Sequence, residues 1–204
     1  ETVQVVDVSA NLRTLTSNRL DVSGVQIGDR ENPILSIDSI RCDFSPKGLL
    51  RREIEKVAIS GLTLRAVFSD KGLEIPFMDM GTEADAAPPA PLPGVIRHLE
   101  MLNSRLILTW QETQIDIPFT VNAAPVQTET EALPSRYQVF LTLMPFHQEI
   151  EVAAAFDLLE GDGHVAITAE KLDLGALSTA LGQAVAGKMR LSLAADINRD
   201  GIHL

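Results

Sequence analysis

Cysteine is almost missing from the chain: Cys42 stands alone, so no intramolecular disulfide can form and no zinc site can be built from thiolates. Aromatic residues make up only 4%, which leaves Leu, Ile, Val and Ala to supply the apolar surface. Basic residues are outnumbered, 17 against 28 acidic ones, and the formal net charge is −11. That balance excludes the clustered cations that nucleic acid binding needs, and it argues against electrostatic docking on anionic lipid head groups. Lipid tails stay open as partners, because they respond to apolar area and not to charge. The sequence has no run of about 18 apolar residues that would span a membrane as a helix. It starts at Glu1 without a signal-like segment and stops at Gly201-Ile202-His203-Leu204 in what reads as a strand. Both termini read as truncated, and the chain as part of something longer.

Catalytic signatures are also lacking. His98, His147, His164 and His203 have no second His or Cys at ligand spacing and no evident orienting partner. There is no Gly-x-Ser-x-Gly elbow, Gly-rich phosphate loop or dinucleotide fingerprint. Carboxylates such as Glu100, Asp116 and Asp173 alternate with apolar residues, as on a solvated sheet face. The expectation is a non-enzymatic chain without a cofactor. One motif resembles half a calcium loop, Asp196-x-Asn198-x-Asp200-Gly201, in which alternate oxygens converge on a cation. Its twelfth-position carboxylate would fall beyond Leu204, and a polar hairpin tip is the competing reading.

What is present is alternation with period two, the mark of strands with one buried face. After Val3, Val5 or Val6, and Val8, a pattern recurs: Leu20-x-Val22 then Val25-x-Ile27; Leu35-x-Ile37 then Ile40-x-Cys42-x-Phe44; Val57-x-Ile59 then Leu62-x-Leu64-x-Ala66-x-Phe68. The apolar parity flips each time across Ser23-Gly24, Asp38-Ser39 and Ser60-Gly61. A looser fourth copy sets Leu99 and Met101 before Asn103-Ser104, and Leu106, Leu108 and Trp110 after it. Keeping one face through such a flip takes one extra residue, a bulge, which twists and bends the strand. The other reading is a break between two short strands. Bulges at matching places would curl a sheet into a trough, with Cys42 as a small hydrophobe on its wall.

Further strands are predicted over 137–143, 150–158, 164–169 and 189–197. Hairpin turns are signalled by Asp70-Lys71-Gly72, Gly161-Asp162-Gly163 and Asp200-Gly201. One segment reads as a helix, Asp173 to Ala186, with Asp173 as cap, Leu174, Leu177, Leu181 and Val185 as stripe, and Gly187 as stop. The Pro/Ala-rich stretch 79–94 reads as a loop within one continuous β-rich region, 1–204, because the strand pattern is the same on both sides. The expected fold is mostly β: an elongated, curved antiparallel sheet forming an open groove, with one or two short helices. A β-sandwich is the alternative. Candidate groove residues are Leu35, Ile37, Ile40, Phe44, Val57, Ile59, Leu62, Leu64, Phe68, Leu106 and Leu108.

These runs, from Val22-Ser-Gly-Val-Gln-Ile27 through Pro33 to Pro46 and Ile54 to Leu64, resemble the AsmA-like proteins of Gram-negative envelopes, which include the AsmA, TamB and YdbH groups. Ile96-x-x-Leu99-x-Met101, Ile117-Pro-Phe119, and Leu172-Asp-Leu174 leading to Gly187-Lys-Met-Arg-Leu191-x-Leu193 extend the resemblance over most of the chain. It is carried by hydrophobic pattern and brings no catalytic residues. It implies a taco-shaped open sheet with an apolar lumen and an inner-membrane anchor outside this segment. It further implies a periplasmic role in moving phospholipid toward the outer membrane, with envelope proteins as partners through regions outside this segment. Physically, shielding a few hundred Å² of acyl chain at about 25 cal/mol per Å² is worth several kcal/mol without any directional bond, so head-group selectivity should be poor.

Overall fold

The computed structural model describes residues 8–16, 18–69, 72–74, 94–110, 113–126, 135–157, 161–181, 186–198 and 201–203. In chain order the strands are β1 (Val8–Leu15), β2 (Arg19–Gly28), β3 (Pro33–Asp43), β4 (Glu53–Ile54), β5 (Lys56–Ser60), β6 (Thr63–Ser69), β7 (Gly72–Glu74), β8 (Val95–Ile96), β9 (Leu99–Trp110), β10 (Thr113–Pro125), β11 (Arg136–Leu143), β12 (Ile150–Asp157), β13 (Asp162–Asp173), β14 (Lys188–Asn198) and β15 (Gly201–His203). Helix α1 (Pro46–Leu50) follows β3 and α2 (Leu174–Leu181) follows β13. Thirteen strands join one curved sheet, ordered β1-β2-β3-β5-β9-β10-β11-β12-β13-β14-β15, with β6 prolonging β5 between β3 and β9, and β7 folding back on β6. β4 and β8 form a separate two-stranded pair.

The expected antiparallel sheet is therefore mixed. β5 and β6 run parallel to β9, and β4 runs parallel to β8. Parallel neighbours need a long return connection, and the stretch between β7 and β8, which includes the Pro/Ala-rich residues, supplies its length. The structure of 75–93 lies outside the described residues, as do Val3, Val5 and Val6. The three signalled turns join β6 to β7, β12 to β13 and β14 to β15, all antiparallel hairpins.

The expected helix is present as α2 from Leu174 through Leu181, with residues 182–185 outside the described residues; the Asp173 carboxylate accepts from the Gly175 N–H at 2.8 Å, as an N-cap does. α1 has no counterpart in the expectations. Ser45 caps it by accepting from the Gly48 N–H at 3.1 Å, and Pro46 sits at its first position. Five residues are too few for a periodic stripe, so the Ser-Pro start was its only signal.

No deep core exists among the described residues. The buried hydrophobic side chains are Val57, Ala66, Val95, Ala154, Ala169 and Leu172. Two sheets stacked face to face would seal most inward side chains, whereas here one layer leaves its apolar side chains half-buried. The sandwich alternative is not realised.

Candidate functional site

Directly opposed residues in a ladder share a face, so the registers show how the apolar side is assembled. One row runs Leu12, Val22, Ile40, Ile59, Met101, Val121, Leu141, Val152, Ile167, Leu193, each opposite the next, across ten strands from β1 to β14. No polar residue interrupts it. A parallel row runs Leu15, Leu20, Cys42, Val57, Leu99, Ala123, Val139, Ala154, Val165, Ala195. A third, shorter row joins Ile27, Leu35, Leu64, Leu106 and Ile117.

The parity flips explain how these rows share a face. Between Ser23 and Val25, β2 stays in register with β3, because both strands carry an extra residue at the same level. β3 keeps one register with β5 and β6, and β9 does likewise. The ladder continues across the gap between β5 and β6, where the Gly61 N–H bonds the Leu102 carbonyl at 3.1 Å and the Arg105 N–H bonds the Leu62 carbonyl at 2.8 Å. No register shift falls at this level inside the block: the β2–β3 ladder shifts only at its far end, between Ile27 and Gly28. The block's other shifts lie where it meets its neighbours, between Ser9 and Asn11 and between Leu12 and Thr14 against β2, and between Phe119 and Val121 against β9. The extra residue is thus a seam shared by adjacent strands. Gly24, Gly61 and Asn103 take φ of 63°, 67° and 51° along it, the left-handed region that glycine enters cheaply and asparagine more readily than most. The bulge reading holds for β2, β3 and β9, which run unbroken through the seam; between β5 and β6 the strand is interrupted but the ladder is not.

β10 has no extra residue and alternates regularly through Ile115, Ile117, Phe119, Val121 and Ala123. It faces Leu108, Leu106, Ser104, Met101 and Leu99 in turn. Apolar residues on both sides of the β9 seam therefore lie on one face, which Ser104 joins as a buried hydroxyl donating to the Leu102 carbonyl at 3.2 Å.

The candidate groove residues come together on this face. Leu35, Ile40, Val57, Ile59, Leu64, Leu106 and Leu108 stand in its rows. Ile37 opposes Val25, and Leu62 lies level with Ser104. The Phe44 N–H bonds the Asn18 carbonyl at 3.0 Å, prolonging the β2–β3 ladder by one step. Phe68 opposes Trp110, and the two rings meet edge to face at 6.5 Å. Ile37, Leu62 and Leu64 are half-buried and not sealed. Missing from the candidates were the contributions of β10 to β14, such as Val121, Leu141, Val152, Ile167 and Leu193. Each strand displayed its alternation, but only the registers reveal that the apolar parities coincide.

The opposite face is polar and carries cross-strand ion pairs. Arg19 meets Asp43 at 2.8 Å, Arg41 meets Asp21 at 3.1 Å, Lys56 meets Glu100 at 2.6 Å, and Arg136 meets Asp157 at 3.0 Å. Arg105 pairs with Asp116, and Arg190 with Glu170. The exposed pairs contribute little energy individually, and only Arg136–Asp157 has a buried carboxylate, yet all oppose any one-residue slip that would turn the apolar side chains outward. Leu102, Val67 and Phe140 are exposed apolar exceptions on this side.

The remaining reactive groups are scattered. His164 Nδ1 lies 2.8 Å from Asp196, the first oxygen of the calcium-like motif. Asp196 and Asn198 sit within the paired strand β14, opposite His203 and Gly201, and Asp200 lies outside the described residues. The His98 carbonyl accepts from Val57, and His147 is exposed in a short 3-10 turn, 145–147. Among the described residues no three His, Cys, Asp or Glu side chains gather as a metal site. Cys42 is half-buried on the apolar face; burial, and secondarily the nearby Asp43 and Asp21 carboxylates, push its thiol pKa up and keep it a neutral hydrophobe. Tyr137 is likewise raised by burial, against a backbone hydrogen bond with Ile96 that lowers it. A hollow of about 330 Å³ at the ends of β11 to β13, lined by Arg136, Phe156, Asp157 and Gly163 among others, is open and gathers no catalytic set.

Comparison with protein-family models gives no match, and no curated protein aligns with the chain. No helix among the described residues is long and apolar enough to cross a membrane.

Proposed function

We propose that this chain is a non-enzymatic lipid-binding segment that carries phospholipid acyl chains along the apolar side of its sheet. The observation that carries the reading is the unbroken apolar row from Leu12 to Leu193, left half-exposed in a sheet that has six buried hydrophobic side chains among the described residues. Ten strands at about 4.8 Å spacing give a run of roughly 43 Å. That exceeds the ~30 Å hydrocarbon thickness of a bilayer, so an acyl chain can be covered anywhere along it. A monomeric protein rarely leaves so large an apolar surface bare without a use for it. Acyl chains need area without directional partners, which is what aliphatic rows offer; the polar groups lie mostly on the other face.

The resemblance to AsmA-like proteins supports a periplasmic location, an inner-membrane anchor outside this segment and transfer toward the outer membrane, in company with other envelope proteins. The test is native mass spectrometry of the purified chain together with titration by a fluorescent fatty acid. Co-purifying phospholipid and saturable probe binding are expected, and probe binding should slow maleimide labelling of Cys42. Leu64→Asp and Ile37→Asp should each weaken the probe about tenfold or more while the fold persists, since both side chains are half-exposed. A lipid-free protein that ignores the probe would end this proposal.

A further inference from the structure

Helix α1 is turned the wrong way for a helix that serves only the fold. Its buried residue is Gly48, pressed so close to Glu53 that an added Cβ would stand 3.1 Å from the Glu53 carbonyl oxygen and 2.9 Å from Ser45 Oγ. Leu49 and Leu50 are consequently directed outward, 49% and 88% exposed. An amphipathic element normally buries its leucines; here glycine makes the contact and leucine meets solvent.

The charge around these leucines is equally out of keeping with the chain. Lys47, Arg51 and Arg52 flank them with no acidic residue between Ser45 and Arg52, in a protein of net charge −11. None of the three makes an ion pair among the described residues, whereas Arg19, Arg41, Lys56, Arg97, Arg105, Arg136 and Arg190 do. The nearest acids are largely engaged: Asp43 with Arg19 and Glu53 with Arg97, leaving Glu55 exposed. Acids farther off are screened beyond about 8–10 Å at physiological salt, so the local cations set the potential that a surface touching α1 meets.

Exposed leucines ringed by free cations complement one kind of surface, an anionic phospholipid bilayer. Apolar tips enter the acyl boundary there and ammonium and guanidinium groups meet phosphates. We infer that α1 is a membrane-contact point at the end of β3, through which the sheet touches an anionic bilayer. Overall acidity, which argues against docking by the chain as a whole, then has a purpose: it confines contact to this spot. The inference rests on the lipid-carrying reading only for its use, since contact beside the apolar rows would let chains pass between bilayer and sheet.

The test is co-sedimentation of the whole chain with vesicles of phosphatidylcholine alone or with 30% phosphatidylglycerol. Binding to the anionic vesicles should be at least tenfold tighter and should weaken with salt. Leu50→Ser should reduce it about tenfold. Lys47→Gln/Arg51→Gln, which spares Arg52 and its φ of 59°, should reduce it about 25-fold. Both variants alter exposed side chains, so their thermal unfolding and their vesicle-free binding of the fatty-acid probe should match the parent. Equal binding to both vesicle types, no vesicle binding, as for a patch that meets an acidic protein, or variants that sediment like the parent would each overturn the inference. Failure of the parent to bind the probe would sink the lipid-carrying reading while leaving the vesicle result to stand.

Discussion

The two ends of the sheet build the same apolar face by different means. From β2 through β3 and β5–β6 to β9, each strand carries one extra residue at a shared level, and that level shows no shift within the block. Its irregularity appears where the block meets β1 and β10, while the β2–β3 ladder shifts only at its end, between Ile27 and Gly28. From β10 to β14 the apolar rows are separated by single residues. The register shift there is a lone one, between Ala169 and Leu172 of β13. A bulge shared by neighbours keeps every ladder between them in register, whereas a lone bulge leaves one residue unpaired. The first block can therefore twist as a unit, and the second interrupts its pairing at a single point.

Deletions should separate these two designs most sharply. Removing Gly61 alone leaves its strand one residue short of both neighbours, placing two new irregularities mid-sheet at a cost of about 3 kcal/mol. Removing Lys171 from β13 takes out an unmatched residue and should change stability by less than about 1 kcal/mol. Removing Gly24, Asp38, Gly61 and Asn103 together should be milder than removing Gly61 alone, because the strands stay matched. Urea denaturation midpoints would decide, and equal costs for the Gly61 and Lys171 deletions would dissolve the distinction.

A smaller effect is expected from Gly61→Ala. The new Cβ would enter a residue at φ 67° and lie 2.0 Å from Asp38 Oδ2 and 2.8 Å from Asp38 Cβ, so rotation of the carboxylate cannot relieve the clash fully. The cost should be about 2 kcal/mol, against about 0.5 kcal/mol for Thr120→Ala in the regular strand β10. The smallest effect concerns pH. The hydrogen bond from Lys56, reinforced by its charge, holds the Glu100 carboxyl below the usual range although burial opposes this. A depressed native pKa stabilises fully above the unfolded value near 4.3 and is lost as pH falls through the native one. Stability of the parent should thus fall slightly more steeply than that of Glu100→Gln below about pH 4.3, measured by denaturant midpoint.

Much of this was legible in the sequence because parity is a local property. Ser23-Gly24, Asp38-Ser39, Ser60-Gly61 and Asn103-Ser104 announce the seam without knowledge of pairing. The fourth copy looked looser because Ser104 occupies a level that Val25, Ile37 and Leu62 fill elsewhere, and Asn103 stands where Gly24 and Gly61 supply positive φ. The parallel pairing of β5 and β6 with β9 was hidden, since it depends on a return connection without periodic signal. Which parity of β10 to β14 joined the common face was hidden too, because register is a relation between strands and leaves no mark within one.

Among the described residues the sheet is one layer thick and has little interior of its own, with six buried hydrophobic side chains. Whatever apolar molecule settles on the bare side becomes its missing core, and mass action then ties melting temperature to that molecule's concentration. On the lipid-carrying reading proposed above, thermal endurance would be a borrowed property, rising when the face is occupied and falling when it is emptied.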